Sequence, residues 1–250
     1  MLFRLVRHGQ SIWNLENKFT GWVDVELSER GVKEAEEAGR TLLSYKFTPE
    51  ICATSFLQRS KSTAEIILNK MKEEIELNIE TKVIWQLNER HYGALQGLDK
   101  VETAKKYGED QVQLWRRSYD VLPPLAKKSS KFDPKTDKKY ENINEELPLG
   151  ESLEKVVERV NSTFTNLLEL AKTKQVLVVA HGNSIRAMVK MLDNLSNTEI
   201  VDVNIPTGIP LAYKISENEN VKIGYLGDSD KIEQLQKEVE LQSKVKHEKD

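Results

Sequence analysis

Residues 176–183 read Val-Leu-Val-Val-Ala-His-Gly-Asn (VLVVAHGN), and this stretch decides the fold. Five apolar residues run without polar alternation, which suits a short central parallel strand covered on both faces. The run then stops abruptly at His181-Gly182. The chain begins in the same way: Leu2–Val6 is a buried-strand pattern that ends on Arg7-His8-Gly9. Ligands of open α/β sheets bind beyond the C-terminal ends of the strands, so both histidines fall where a site is expected.

The neighbouring segments fit the same scheme. Val32, Ala35, Gly39, Leu42 and Leu43 lie at helical spacing after a candidate N-cap, Ser28. Ile51–Thr54 reads as a strand, and Leu57, Ala64, Ile67, Leu68 and Met71 mark a second helix. Thr81–Leu87 is a third strand candidate, while Gly9–Leu27 has no sustained period and reads as an ordered loop. A strong helical stripe runs from Leu153 to Leu168, and another helix follows Asn183 through Ile185, Met188, Val189 and Leu192. Leu211–Ile215 and Val221–Leu226 are late strands about the turn 217–220, and a charged helix starts near Asp228. Strands alternating with helices predict an α/β fold, a three-layer α/β/α domain with a mainly parallel central sheet. One domain over 1–250 is expected. It carries an irregular Pro-, Lys- and Asp-rich excursion at about 121–150 and a mobile tail at about 240–250.

Composition narrows the function. The 250 residues are 31 % charged and 38 % hydrophobic, as in ordinary globular proteins. The net charge of −3 provides no basic field for nucleic acid or a membrane surface. The single cysteine, Cys52, excludes an internal disulfide and fits a small buried residue in a reducing compartment. Arg4 and Arg7 break the N-terminal apolar stretch too early for a signal peptide, and no apolar run approaches spanning length. The expectation is a cytoplasmic protein.

Two of only four histidines occupy equivalent strand ends, each followed by glycine, which lets backbone N–H groups approach an anion. One such histidine is an ordinary core residue; the pair is a pattern. Arginines and a lysine accompany them: Arg7, Arg59, Arg90, Lys100, Arg116, Arg117 and Arg186. A guanidinium fork matches phosphate and carboxylate oxygens, so the set suggests a pocket for a small, highly anionic phosphate ester. Metal-ligand spacings of the cysteine or His-x-x-x-His kind are absent from the sequence.

Five segments carry a resemblance over residues 3 to about 213. They are RHGQSIWNLENKFTGWVDVELSERG, LNERHYGALQGLDKVETAKKYGED, LWRRSYDVLPP, AHGNSIRAMVKMLDNLS and NIPTGIPLAY. The chain resembles the histidine phosphatase family, in its bisphosphoglycerate-dependent phosphoglycerate mutase branch. The resemblance implies interconversion of 3- and 2-phosphoglycerate through a phosphohistidine, primed by 2,3-bisphosphoglycerate and needing no metal. It implies a homodimer or homotetramer with phosphoglycerates as its partners. His8 resembles the nucleophile; Arg7, Arg59 and His181 the groups around the transferring phosphoryl; and Glu89 the general acid/base. The substrate-binding set implied is the loop Arg7, His8, Gly9, Gln10, Ser11, Ile12, Trp13 and Asn14, with Thr20, Gly21, Arg59 and Glu89. Arg90, His91, Tyr92, Lys100, Arg116, Arg117, Gly182 and Asn183 complete it.

Two positions bear on the activity. The family motif usually reads RHGE, and Gln10 removes that charge, as in related phosphatases. Ser11 is the residue of glycolytic mutases, where the bisphosphoglycerate-synthesising branch has glycine. Gln10 keeps hydrolysis of small phosphate esters as a rival reading, and Ser11 points the other way; phospho-ligand binding without turnover is a second rival, against which the intact His8, Glu89 and His181 speak. The lysine-rich segment Lys127–Lys139 has no close match and receives no assigned role.

Overall fold

The computed structural model describes residues 1–241. The strands are β1 (Leu2–Arg7), β2 (Ile51–Thr54), β3 (Glu80–Val83), β4 (Val176–Ala180), β5 (Pro210–Ile215) and β6 (Asn220–Tyr225). They form one sheet in the order β3-β2-β4-β1-β5-β6. The first four neighbours are parallel; β5 runs antiparallel to both β1 and β6. β4 and β1 are the two central strands, which is why VLVVA is apolar throughout: all five residues are buried.

Helices cover both faces. They are α1 (Ile12–Leu15), α2 (Glu29–Ser44), α3 (Gln58–Lys72), α4 (Lys100–Tyr107), α5 (Glu109–Arg117), α6 (Leu153–Leu170), α7 (Gly182–Leu192) and α8 (Ser229–Leu241). The pleat divides the sheet between two cores. Leu177 and Val179, with Val6 and Cys52, pack against Ala38 and Leu42 of α2 and Ile67 and Met71 of α3. Val176 and Val178, with Phe3 and Leu5, pack against Val160 and Phe164 of α6 and Ile185 and Met188 of α7. Each of the Val, Leu, Ile, Phe and Met side chains among them contributes about 1.5–3 kcal/mol on burial. Cys52 is indeed buried, and that burial pushes its thiol up to about 12. The three layers expected from the sequence are present.

Three local expectations need correction. The strand expected over Thr81–Leu87 ends at Val83, and Trp85–Leu87 turns as a 3₁₀ segment that brings Trp85 onto Trp22, 6.0 Å between ring centroids. The loop Gly9–Leu27 contains α1, started by a reciprocal cap. Asn14 N donates to Ser11 Oγ at 3.2 Å, and Ser11 N donates to Asn14 Oδ1 at 3.1 Å. Residues 100–117, for which no element was expected, form α4 and α5.

Within 121–150 the chain makes two 3₁₀ turns, Pro134–Thr136 and Lys138–Tyr140, capped by Asp133 and Asp137. Tyr140 stacks on Trp22 and Phe56, and Lys139 pairs with Asp24 at 2.7 Å, so the end of the lysine-rich stretch is pinned to the body. The mobile tail expected from about residue 240 lies outside the described residues beyond Leu241, the last residue of α8.

Candidate active site

The parallel pairing of β1 with β4 sets Arg7 opposite Ala180, and the His8 amide donates to the Ala180 carbonyl at 2.9 Å. His8 and His181 therefore leave adjacent strands at the same level. The His8 Nδ1–H donates to the Gly9 carbonyl at 2.7 Å. A carbonyl only accepts, so Nδ1 holds the proton and Nε2 keeps its lone pair. Arg59, second residue of α3, donates its Nε to that Nε2 at 3.3 Å. Its other nitrogens are tied to the carbonyls of Gly21 at 2.7 Å and Val23 at 3.0 Å.

The residue after His8 must be glycine here. A Cβ on Gly9 would stand 2.1 Å from the Gly31 carbonyl oxygen, because α2 crosses directly over it. Gly9 N donates to Thr63 Oγ1 at 3.1 Å, and Gln10 N donates to Glu34 Oε2 at 2.8 Å. The His8 loop is thus fixed from α2 and α3 together.

His181 bonds through Nε2 to Ser55 Oγ at 2.8 Å, and its amide donates to Ser184 Oγ at 3.1 Å. Glu89 accepts from two backbone amides at Oε1, Arg90 N at 2.7 Å and Asn183 N at 3.1 Å. Gly182, at the start of α7, lies beside both Arg7 and Glu89: a Cβ there would make ordinary contact, 3.6 Å, with Arg7 Nε and Glu89 Oε2.

Arg7, His8, Arg59, Glu89, Gly182 and Asn183 line a cleft of about 760 Å³, counting the solvent at its mouth. Of the sequence-predicted residues, Arg7, His8, Asn14, Thr20, Gly21 and Arg59 line it. So do Glu89, Tyr92, Lys100, Arg116, Arg117, Gly182 and Asn183. His181 stands behind His8. Arg90 and His91 do not reach the lining. Arg90 donates to the carbonyls of Glu151 at 2.6 Å and Val121 at 3.2 Å. His91 accepts from Gly93 N at Nδ1 and donates from Nε2 to the Phe132 carbonyl at 3.0 Å. Gly9, Gln10, Ser11 and Ile12 shape the loop from outside the lining, and Trp13 lines a neighbouring cleft with Trp22 and Tyr140. The Gln10 amide oxygen accepts from Ser28 Oγ at 2.9 Å.

Sequence reasoning missed Lys18, Phe19, Val203, Ile205 and Val239, all in the lining. Ile205 also holds Arg7, whose Nη1 donates to its carbonyl at 2.8 Å. Lys18, Phe19 and Ile205 lie inside the quoted motifs, so they were within reach; Val239, on α8, carries no sequence signal. Arg186, noted only as a cation, lines the cleft and donates to Asn183 Oδ1 at 3.1 Å.

The cleft is crowded with positive charge. Burial, then Arg59 and Arg7, hold His8 well below the usual imidazole value; burial, then Arg59 and His8, do the same to His181. Burial, then Arg116 and Arg7, hold Lys100 well below the ordinary lysine value. Burial brings Arg59 and Arg116 to about 10 and Arg186 to about 9, so all three stay charged at neutral pH. Such a field favours a ligand with several negative charges. Among the described residues, no group of three or more His, Cys, Asp or Glu could hold a metal ion, and no helix is long and apolar enough to cross a membrane.

Comparison with known proteins finds relatives along nearly the whole chain. The model of the histidine phosphatase superfamily (branch 1) matches residues 3–209. A 2,3-bisphosphoglycerate-dependent phosphoglycerate mutase of Treponema denticola is 50% identical over 232 residues, 91% of this chain and 93% of the relative. One from Borreliella burgdorferi is 48% identical over 246 residues, 97% of this chain and 98% of the relative. Among solved structures, the alpha-ribazole phosphatase of Shigella flexneri shares the fold. Its TM-score is 0.67 at 17% identity, over 91% of this chain and 96% of that one. The chain belongs to the histidine phosphatase superfamily, branch 1, in the group of the 2,3-bisphosphoglycerate-dependent phosphoglycerate mutases.

Proposed function

We propose that the protein interconverts 3-phosphoglycerate and 2-phosphoglycerate through a phosphoryl group carried on His8 Nε2. The observation that carries this reading is the lock on the His8 tautomer: Nδ1 is committed to Gly9, and Nε2 keeps its lone pair, which accepts from Arg59 Nε at 3.3 Å. That is the arrangement a nucleophilic imidazole needs.

Priming begins with 2,3-bisphosphoglycerate. Nε2 of His8 attacks phosphorus in line, the ester P–O bond breaks, and Glu89 supplies a proton to the departing oxygen. In the return direction the substrate hydroxyl attacks the phosphohistidine, the N–P bond breaks, and Glu89 takes the hydroxyl proton. Bisphosphoglycerate forms in the cleft and reorients. The other phosphate then returns to His8, leaving the isomer. Negative charge on the equatorial oxygens is met by Arg7, Arg59 and a His181 that gains a proton beside the phosphoryl. Lys100, Arg116 and Arg117 face the remaining carboxylate and phosphate. These fixed cations do the electrostatic work assigned to a metal in other phosphotransferases, so bisphosphoglycerate is the only cofactor in this scheme.

The same reading places the protein in the cytoplasm, working as one domain in a homodimer or homotetramer. The Gln10 side chain gives the phosphatase alternative little ground, because its amide is engaged by Ser28 outside the cleft. The test is incubation with 3-phosphoglycerate and a trace of 2,3-bisphosphoglycerate. Formation of 2-phosphoglycerate with little free phosphate is expected. Phosphate alone would make the protein a phosphatase, and neither product would make it a binding module.

A further inference from the structure

Glu89 sits in a stretch, 88–92, with no helix or strand of its own, yet its carboxylate must be placed closely for proton transfer. The backbone of that stretch is held from behind, outside the cleft, by one buried ion pair. Arg159 of α6 meets Glu151 fork to fork: Nε to Oε1 at 2.7 Å and Nη2 to Oε2 at 2.9 Å. The side chains are 7% and 2% exposed.

The rest of the pair's capacity goes to the Glu89 loop. Arg159 donates from Nη1 to the carbonyls of Gln86 at 2.6 Å and Asn88 at 3.2 Å, and from Nη2 to that of Glu89 at 3.2 Å. Glu151 Oε2 accepts the His91 amide at 2.8 Å, and its own amide donates to the His91 carbonyl at 2.8 Å. The Arg159 guanidinium also lies 5.6 Å over the Trp22 ring, whose Nε1 donates to the Glu89 carbonyl. Backbone groups on both sides of Glu89 thus converge on two side chains that do not line the cleft. Buried ion pairs are poor stabilisers compared with apolar packing; conformational specificity is the better reason to keep one.

We propose that Glu151 and Arg159 are positioning residues for Glu89, holding its backbone where the carboxyl can exchange a proton with the substrate oxygen. This rests on the reading that Glu89 is the proton-transfer group. Lysine at 159 keeps the charge but cannot present a fork and three further donors. A displacement of about 1 Å at a reacting group costs about 10²-fold in rate.

The experiment compares two phosphoryl donors for His8 in the full-length protein. 2,3-Bisphosphoglycerate has an alkoxide leaving group that needs a proton; acetyl phosphate leaves as acetate and needs none. In Arg159→Lys, labelling of His8 by bisphosphoglycerate should slow about 10–100-fold, and labelling by acetyl phosphate should stay within about twofold of wild type. Glu151→Gln, which keeps the volume, should behave the same way and serves if the lysine variant does not fold. Equal slowing with both donors, or with neither, would overturn the proposal. Glu89→Gln is the control: if it shows no donor selectivity, the proton-transfer reading itself has failed. If it is selective while Arg159→Lys and Glu151→Gln are not, only the positioning role has.

Discussion

The imidazoles of His8 and His181 meet edge to face, with ring centroids 4.9 Å apart and planes inclined at 62°. They come from the ends of two parallel, adjacent strands, so the sheet itself sets their spacing. Their roles differ through their partners. His8 is committed at Nδ1 to a backbone carbonyl and offers Nε2, whereas His181 is engaged at Nε2 by a serine hydroxyl.

Substitution of Glu89 by glutamine should separate chemistry from binding. Glutamine keeps the volume and the acceptor for Asn183 N and Arg90 N, but cannot take up a proton. We expect kcat to fall about 10²–10⁴-fold with KM little changed. Arg117→Ala, which removes a cation from the lining, should mainly raise KM. Steady-state kinetics of the two variants, with folding checked by circular dichroism, decides; a near-wild-type kcat in Glu89→Gln would move the proton-transfer role elsewhere.

Binding of a polyanion should take up protons. His181 and Lys100 are both held below their ordinary values in the ligand-free cleft, by burial first and neighbouring cations second. An anion reverses the second cause and raises both. Titration calorimetry of His8→Gln with 2,3-bisphosphoglycerate at pH 8, in buffers of different ionisation enthalpy, should report net uptake. Release, or no buffer dependence, would contradict this charge distribution.

The fold itself should weaken in mild acid. Burial lowers His91 to about 4, while an unfolded imidazole titrates near about 6.5. Between those values the unfolded chain binds the extra proton, so this contribution is complete above about 6.5 and is lost as pH falls toward 4. The His91 share of the slope is at most about 1.4 kcal/mol per pH unit. Urea unfolding at pH 7 and pH 5 should show that fall, and His91→Gln should reduce the slope; an unchanged slope would mean that the native and unfolded imidazoles of His91 take up their proton over the same pH range.

Much of the fold was legible because two strand-end motifs sit on strands buried on both faces, where apolar runs are unbroken. The helices α4 and α5 were not. Their sequences, KVETAKKY and EDQVQLWRR, are short and highly charged, and each offers few apolar positions. They are held by Ala104, Val112 and Trp115 clustering with Leu95 and with Phe19, which is distant in sequence. In the site, Lys100, Arg116 and Arg117 were legible as cations within motifs. Arg90 was equally legible, but sequence does not show that its guanidinium turns to the carbonyls of Glu151 and Val121. The lining residue Val239 depends on where α8 docks, which no local pattern encodes.

Activity should be indifferent to EDTA and sensitive to vanadate. In the proposed scheme Arg7, Arg59 and His181 meet the charge of an in-line phosphoryl on His8, and vanadate adopts the same five-coordinate geometry. Loss of activity in EDTA that Mg²⁺ or Mn²⁺ restores would contradict a scheme in which these cations do the work a metal does elsewhere.

The central claim is that His8 carries the phosphoryl group, and brief labelling with ³²P-bisphosphoglycerate tests it most directly. The locked tautomer and the adjacent Arg59 predict a single adduct on His8, labile in acid and stable in base, that 3-phosphoglycerate discharges and His8→Ala lacks. Label that persists in His8→Ala, or that survives acid, would contradict it.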